Sequence, residues 1–240
     1  MSPWTRARRF GRTLSLTQKS ASALIRAEKS PQGRSRDFTH HIMRTWSSDV
    51  LKTLGIEVED IGSPIEEPGL FVGNHMSYLD IPLLMSRVPV VFIAKKELAA
   101  WPVFGRAIRS AGMVFVDRSS AHSRKDAAEA VAPAIQQDGY SVAVFASGTT
   151  ALHEEKPWRW GTFLIAKRYG IPLQPFRLSY HPARTVAYID DDAFAPHLWN
   201  LLGASGLRAR LEFGPVLRSI DDPREEAERW WKWAREGLLH

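Results

Sequence analysis

His75 and Asp80 are the residues whose types and spacing best suit chemistry. An imidazole can take and return a proton near neutrality. A carboxylate on its second nitrogen would fix the tautomer and stabilise the cation. The pair lies in Phe71-Val-Gly-Asn-His75-Met-Ser-Tyr-Leu-Asp80, where a strand-like run meets Gly73-Asn74 before a helical pattern. On one regular helix, residues five apart point about 140° apart and cannot meet. The pairing therefore needs His75 ahead of the helix and Asp80 in its second turn. Eight histidines and twelve aspartates produce such a spacing often by chance. Taken alone, the pair reads better as a polar residue capping a helix.

Other chemistries have less support. Cysteine is absent, which excludes disulfides, thiolate nucleophiles and Cys-ligated metal sites, and fits a reducing compartment. The glycines near Gly105 and Gly112 lack the spacing of a P-loop or a dinucleotide fingerprint. His40-His41 is the only close histidine pair, and adjacent helical residues diverge, so no metal site is expected.

Elements must position the pair, and the texture supplies them. Across 240 residues, 44% are apolar, enough for a substantial core. From residue 56, short apolar runs alternate with helical patterns. Strands are expected at Leu70–Gly73, Val90–Ala94, Met113–Val116, Val142–Phe145, Leu173–Leu178, Val186–Ile189 and Arg210–Phe213. Helices are expected at Leu79–Ser86, Glu97–Ser110, Ala121–Gln137, Trp160–Tyr169 and Pro223–Leu238. Such alternation argues for an α/β fold, a sheet covered by helices. Ahead of it, Phe38, Ile42, Trp46, Val50 and Leu54 recur every four residues and end at Gly55, a helix with a C′ glycine.

Charge is uneven. Residues 1–36 hold nine Lys or Arg against one acid, +8 of a total of +6, so the remaining 204 residues sum to −2. Trp4, Phe10, Leu14, Ala21, Leu24 and Ile25 are interleaved with these charges. The stretch reads as a membrane-surface helix, a nucleic-acid arm or a disordered tail. No run is long and apolar enough for a spanning helix, and Gln18 and Lys19 break any signal-peptide core.

Further blocks follow in order. They are Phe92-Ile-Ala-Lys95-Lys96-Glu97, Trp101-Pro-Val-Phe-Gly105, Gly112-Met-Val-Phe115-Val-Asp-Arg118, Phe145-Ala-Ser-Gly148-Thr149-Thr150, Pro157-Trp-Arg159-Trp-Gly161 and Ile171-Pro172-Leu-Gln-Pro175. With His75 and Asp80, this order resembles the glycerolipid acyltransferases of the 1-acylglycerol-3-phosphate acyltransferase type, over roughly Gly55 to Val216. The resemblance implies an O-acyltransferase of phospholipid biosynthesis. A fatty acyl group would pass from an acyl carrier protein or coenzyme A thioester to the hydroxyl of a lysophospholipid, first of all 1-acylglycerol-3-phosphate. His75 would be the general base and Asp80 its orienting partner. No metal and no cofactor are implied beyond the thioester co-substrate. Acceptor binding would involve Arg118, Gly148, Thr149, Ser147, Lys95 and Arg159, and Ile171 and Pro172 would line the acyl site.

One block departs from the pattern. The family usually reads Phe-Pro-Glu-Gly-Thr-Arg where this chain has Phe145-Ala146-Ser147-Gly148-Thr149-Thr150. A carboxylate becomes the Ser147 hydroxyl, and a cation is lost at Thr150. The acceptor would then be lyso-ornithine lipid or another lysolipid, or the chain would be a non-catalytic lipid binder, or neighbours such as Arg159 and Glu154 would compensate. The resemblance also implies a single mixed sheet flanked by helices behind an N-terminal amphipathic helical pair. Residues 1–55 would tether the protein to an anionic membrane surface, cytoplasmic and peripheral, and residues 56–240 would form the acyltransferase domain. No nucleic-acid partner is expected. Trp230, Trp231 and Trp233 read as a second interfacial belt or as a helix packed on its own domain.

Overall fold

The computed structural model describes residues 2–29, 35–95, 114–116 and 130–238. Two helices open the chain. Helix α1 spans Pro3–Glu28, with the Ser2 side chain accepting from the Thr5 amide and Pro3 in the first turn, where a missing N–H costs nothing. Helix α2 spans Arg36–Leu54, capped by Ser35 and ended by Gly55 at φ 71°, the left-handed geometry a side chain resists. Its periodicity placed it correctly, yet Phe38 stays exposed while Thr39, Ser47, Val50 and Leu51 turn inward.

Among the described residues seven strands form one sheet: β1 Ile56–Ile61, β2 Leu70–Gly73, β3 Val90–Lys95, β4 Val114–Val116, β5 Ser141–Phe145, β6 Leu173–His181 and β7 Leu207–Phe213. Their order is β1-β7-β6-β2-β5-β3-β4. β6, β2, β5, β3 and β4 run parallel to one another. β7 is antiparallel to β6 and parallel to β1, which makes the sheet mixed. β2 is thus central, hydrogen-bonded on both sides, and Leu70, Phe71 and Val72 have no exposed surface.

Both faces are covered. Phe71 and Phe176 meet one layer, with α2, the short helix α3 Asp80–Met85 and the helix Phe194–Leu202. Leu70 and Val72 meet the other, with helical residues 130–136 and the helices Gly161–Tyr169 and Pro223–Glu236. Each fully buried Leu or Phe is worth about 1.5–3 kcal/mol, so this two-sided packing holds β2 rigidly.

Two expectations change and one open alternative is resolved. Val186–Ile189 is not a strand: Ala183–Val186 is one short helical turn, and the Tyr188 amide bonds to Met76 O at 2.9 Å. β1 and the helix Phe194–Leu202 add to the expected set. Trp230 is buried, its ring meets that of Trp233, and Trp231 donates inward to Glu154 O, so the C-terminal helix packs on its own domain. The expected helix Glu97–Ser110 lies outside the described residues.

Candidate active site

The site forms where two loops leave the C-terminal ends of neighbouring parallel strands, the usual place for ligands in an open α/β sheet. At the end of β2, Gly73 lies flat against the Phe176 ring; a Cβ there would stand 2.3 Å from a ring carbon. Asn74 then continues the ladder with its side chain. Its Nδ2 donates to Leu178 O at 2.8 Å, and its Oδ1 accepts from the Leu178 amide at 2.7 Å. The main chain is thereby free to turn, and His75 follows.

Asp80 is the first residue of α3, in its first turn rather than its second. Its buried carboxylate collects four donors. Oδ2 accepts from His75 Nδ1 at 2.7 Å and from the Met76 and Ser77 amides at 2.7 and 3.0 Å. Oδ1 accepts from the Tyr180 hydroxyl at 2.7 Å. Four donors and no acceptor fit an ionised carboxylate. With Nδ1–H committed to Asp80, the lone pair of a neutral His75 sits on Nε2. The ring stacks on Phe145, centroids 3.9 Å apart and planes 5° off parallel. The imidazole is therefore fixed by an edge contact and a face contact, while its side chain keeps 20% exposure. This arrangement can accept a proton at Nε2 and stabilise the resulting cation.

The second loop follows β5 and is zipped to the first: Ala146 N–H donates to Gly73 O at 3.0 Å, and Ala151 N–H to His75 O at 2.8 Å. Gly148 adopts φ 74° and carries the Arg159 guanidinium against its bare α-carbon, with Cζ 3.3 Å from where a Cβ would be. Arg159 is exposed, and no carboxylate of the described residues lies within ion-pair distance of it. Thr149 is exposed beside it, whereas Ser147 is buried and directs its hydroxyl to Thr149 O at 3.0 Å and Glu154 Oε1 at 3.2 Å.

The remaining expected residues divide. Lys95 ends β3 at this same edge of the sheet, its backbone opposite Val116. Arg118 lies outside the described residues. Ile171 and Pro172 do not join the group. They precede β6 at the other end of the sheet, where Pro172 O accepts from the Leu70 amide, so the full length of β2, roughly 10 Å, lies between them and the turn that carries His75. Ile171 is buried in the core there. Among the described residues, no three His, Asp or Glu side chains are arranged to hold a metal ion.

Of two partners of the dyad, Tyr180 had no legible signal in the sequence, and Glu154 was expected only as a neighbour compensating for the altered block, not as a partner of His75. Tyr180 sits on β6, 100 positions from Asp80, and burial together with the Asp80 charge pushes its hydroxyl well above the ordinary tyrosine range. Glu154 stands behind the second loop, and burial pushes its carboxyl up, against hydrogen bonds from Trp158, His75 and Ser147 that pull it down.

Comparison with known proteins agrees with this geometry. The acyltransferase family profile matches residues 55–179. The lyso-ornithine lipid O-acyltransferase of Pseudomonas aeruginosa is 31% identical over 180 residues, 73% of this chain and 69% of that one. The 1-acyl-sn-glycerol-3-phosphate acyltransferase of Neisseria gonorrhoeae is 37% identical over 168 residues, 67% of this chain and 64% of that one. The crystal structure of the 1-acyl-sn-glycerophosphate acyltransferase from Thermotoga maritima shares the fold, with a TM-score of 0.67 over 96% of each chain at 20% identity. The chain belongs to the acyltransferase family and is an O-acyltransferase.

Proposed function

We propose that this chain moves a fatty acyl group from a thioester, on acyl carrier protein or coenzyme A, to the hydroxyl of a lysolipid, with His75 as general base. One observation carries the reading: His75 Nδ1 is committed to Asp80 at 2.7 Å, and Nε2 has no partner among the described residues. Nε2 takes the proton of the acceptor hydroxyl as its oxygen attacks the thioester carbonyl. The new C–O bond forms, the C–S bond breaks, and the leaving thiolate recovers the proton from the imidazolium. Asp80 stabilises the cation between these steps. No covalent acyl-enzyme, metal or organic cofactor is needed for this sequence.

Acceptor binding falls to the second loop. Arg159 offers a planar fork suited to phosphate or carboxylate beside Thr149 and Gly148. Lys95 and Arg118 are proposed as further contacts from β3 and beyond β4. The first acceptor is 1-acylglycerol-3-phosphate, giving phosphatidic acid. Lyso-ornithine lipid is the second reading, favoured by Thr150, which removes one cation from the loop. The protein is proposed to work at an anionic membrane surface, on the cytoplasmic face.

The test is acyl transfer by purified protein in anionic micelles, with both acceptors and both thioesters offered separately. Product that disappears in His75→Ala supports the base, and the acceptor consumed identifies the lysolipid. Undiminished product from His75→Ala, or none from the folded native protein with either acceptor, would overturn the assignment.

A further inference from the structure

Glu154 is a carboxylate in a costly place. It is fully buried, and its backbone sits at φ 46°, a left-handed conformation that non-glycine residues seldom occupy. Burying an ion costs several kcal/mol unless it is well bonded, and strained backbone persists where surrounding structure imposes it. The surroundings here are specific. Oε2 accepts from Trp158 Nε1 at 2.8 Å, and Oε1 from the His75 amide at 3.3 Å and the Ser147 hydroxyl at 3.2 Å. Trp231 Nε1 donates to the Glu154 carbonyl at 2.7 Å. One carboxylate thus ties the turn that carries His75 to the loop after β5, and the C-terminal helix pins it from behind.

The Ser147 contact says more. A glutamate at 147 would have its γ-carbon about where Ser147 Oγ is, and its carboxylate oxygens roughly 2.4 Å beyond. The oxygen found there belongs to Glu154, at 3.2 Å from Oγ. Position 147 is also where the resembling pattern carries glutamate.

We infer that Glu154 is a positioning residue of this site, its carboxylate filling from seven residues downstream the place that a glutamate at 147 would fill, and holding the His75 backbone in register with the Phe145 ring. The inference rests on the reading of His75 as base. It makes Ser147 a linker to that carboxylate rather than a defect, so the altered block does not imply loss of turnover. A glutamine at 154 keeps the shape but opposes one donor with its own NH₂. A small displacement of a reacting group can cost 10²-fold.

The experiment is a double-substitution cycle on the full chain, read as kcat and KM of acyl transfer, with thermal melts to confirm folding. Glu154→Gln is expected to lower kcat at least roughly tenfold with KM little changed. Ser147→Glu alone crowds two carboxylates and is expected to lower kcat as well. Ser147→Glu combined with Glu154→Gly relaxes the backbone and restores one carboxylate; its kcat is expected to recover well above Glu154→Gly alone. A residue needed only for folding would give no such recovery. Native kcat in Glu154→Gln, or no recovery in the folded double variant while His75→Ala remains inactive, overturns the inference and leaves the base standing. If the double variant does not fold, the kcat of Glu154→Gln decides. Turnover retained in His75→Ala removes the base reading and this inference with it.

Discussion

At the residue scale, the strength of the proposed base is set by how much charge Asp80 presents to it. Three of its donors come from the same turn, but Tyr180 comes from β6 and bonds the oxygen facing away from His75. Because burial and Asp80 hold the tyrosine hydroxyl well above its usual range, it stays protonated and donating at any working pH. Tyr180→Phe withdraws that donor and leaves Asp80 Oδ1 unpaired in the core. The carboxylate is then held less firmly against His75 Nδ1, and kcat is expected to fall severalfold. An unchanged kcat would show that Tyr180 does not tune the dyad. Denaturant unfolding should also record a loss of about 1–3 kcal/mol from the orphaned oxygen.

At the element scale, β2 and β6 act as a rigid frame because Gly73 lets the Phe176 ring lie on the strand. The same ring meets Phe145 edge-on, and Phe145 is the platform under His75. Gly73→Ala puts a methyl group 2.3–2.5 Å from three Phe176 ring atoms, so the ring must move. The expected cost is about 1–3 kcal/mol by chemical denaturation, with kcat falling because the stack shifts. Unchanged stability would mean that the strands part more easily than their packing suggests. This frame was partly legible in the sequence. Central strands announced themselves as apolar runs, and α2 by its period and Gly55. β1 escaped because Glu57, Glu59 and Asp60 decorate an edge strand, leaving little apolar signal. The helix Phe194–Leu202 escaped because no side chain caps its start. Val186–Ile189 misled because an apolar run under a loop looks like a strand. His75 and Asp80 were readable since they are local. Tyr180 and Glu154 meet them across 100 and 79 positions, a pairing that only the fold creates.

At the scale of the whole molecule, α1 has two faces, and the membrane contact proposed for one is separable from the packing of the other. One face is built into the domain. Leu24 is buried, Trp46 donates to Thr17, and Arg9 donates to Leu202 O and Ala204 O at 3.2 and 2.7 Å, closing the end of the helix Phe194–Leu202. Arg6 lies over the Trp199 ring at 5.8 Å. The other face holds Trp4, Arg8, Arg12 and Lys19 within an arc of roughly 80°, all exposed, with Phe10 and Leu14 exposed further round. No described helix is long and apolar enough to cross a membrane. Such a face suits an anionic leaflet, where each cation contributes about 1 kcal/mol and an interfacial tryptophan anchors. Arg8→Glu with Arg12→Glu should therefore weaken binding to phosphatidylglycerol-containing vesicles by at least roughly tenfold, reproduce the effect of added salt, and leave the melting temperature near native. Arg9→Ala should do the reverse, lowering the melting temperature while vesicle binding changes little. If both substitutions reduced vesicle binding equally, α1 would be acting through its packing on the domain and not through its cationic face.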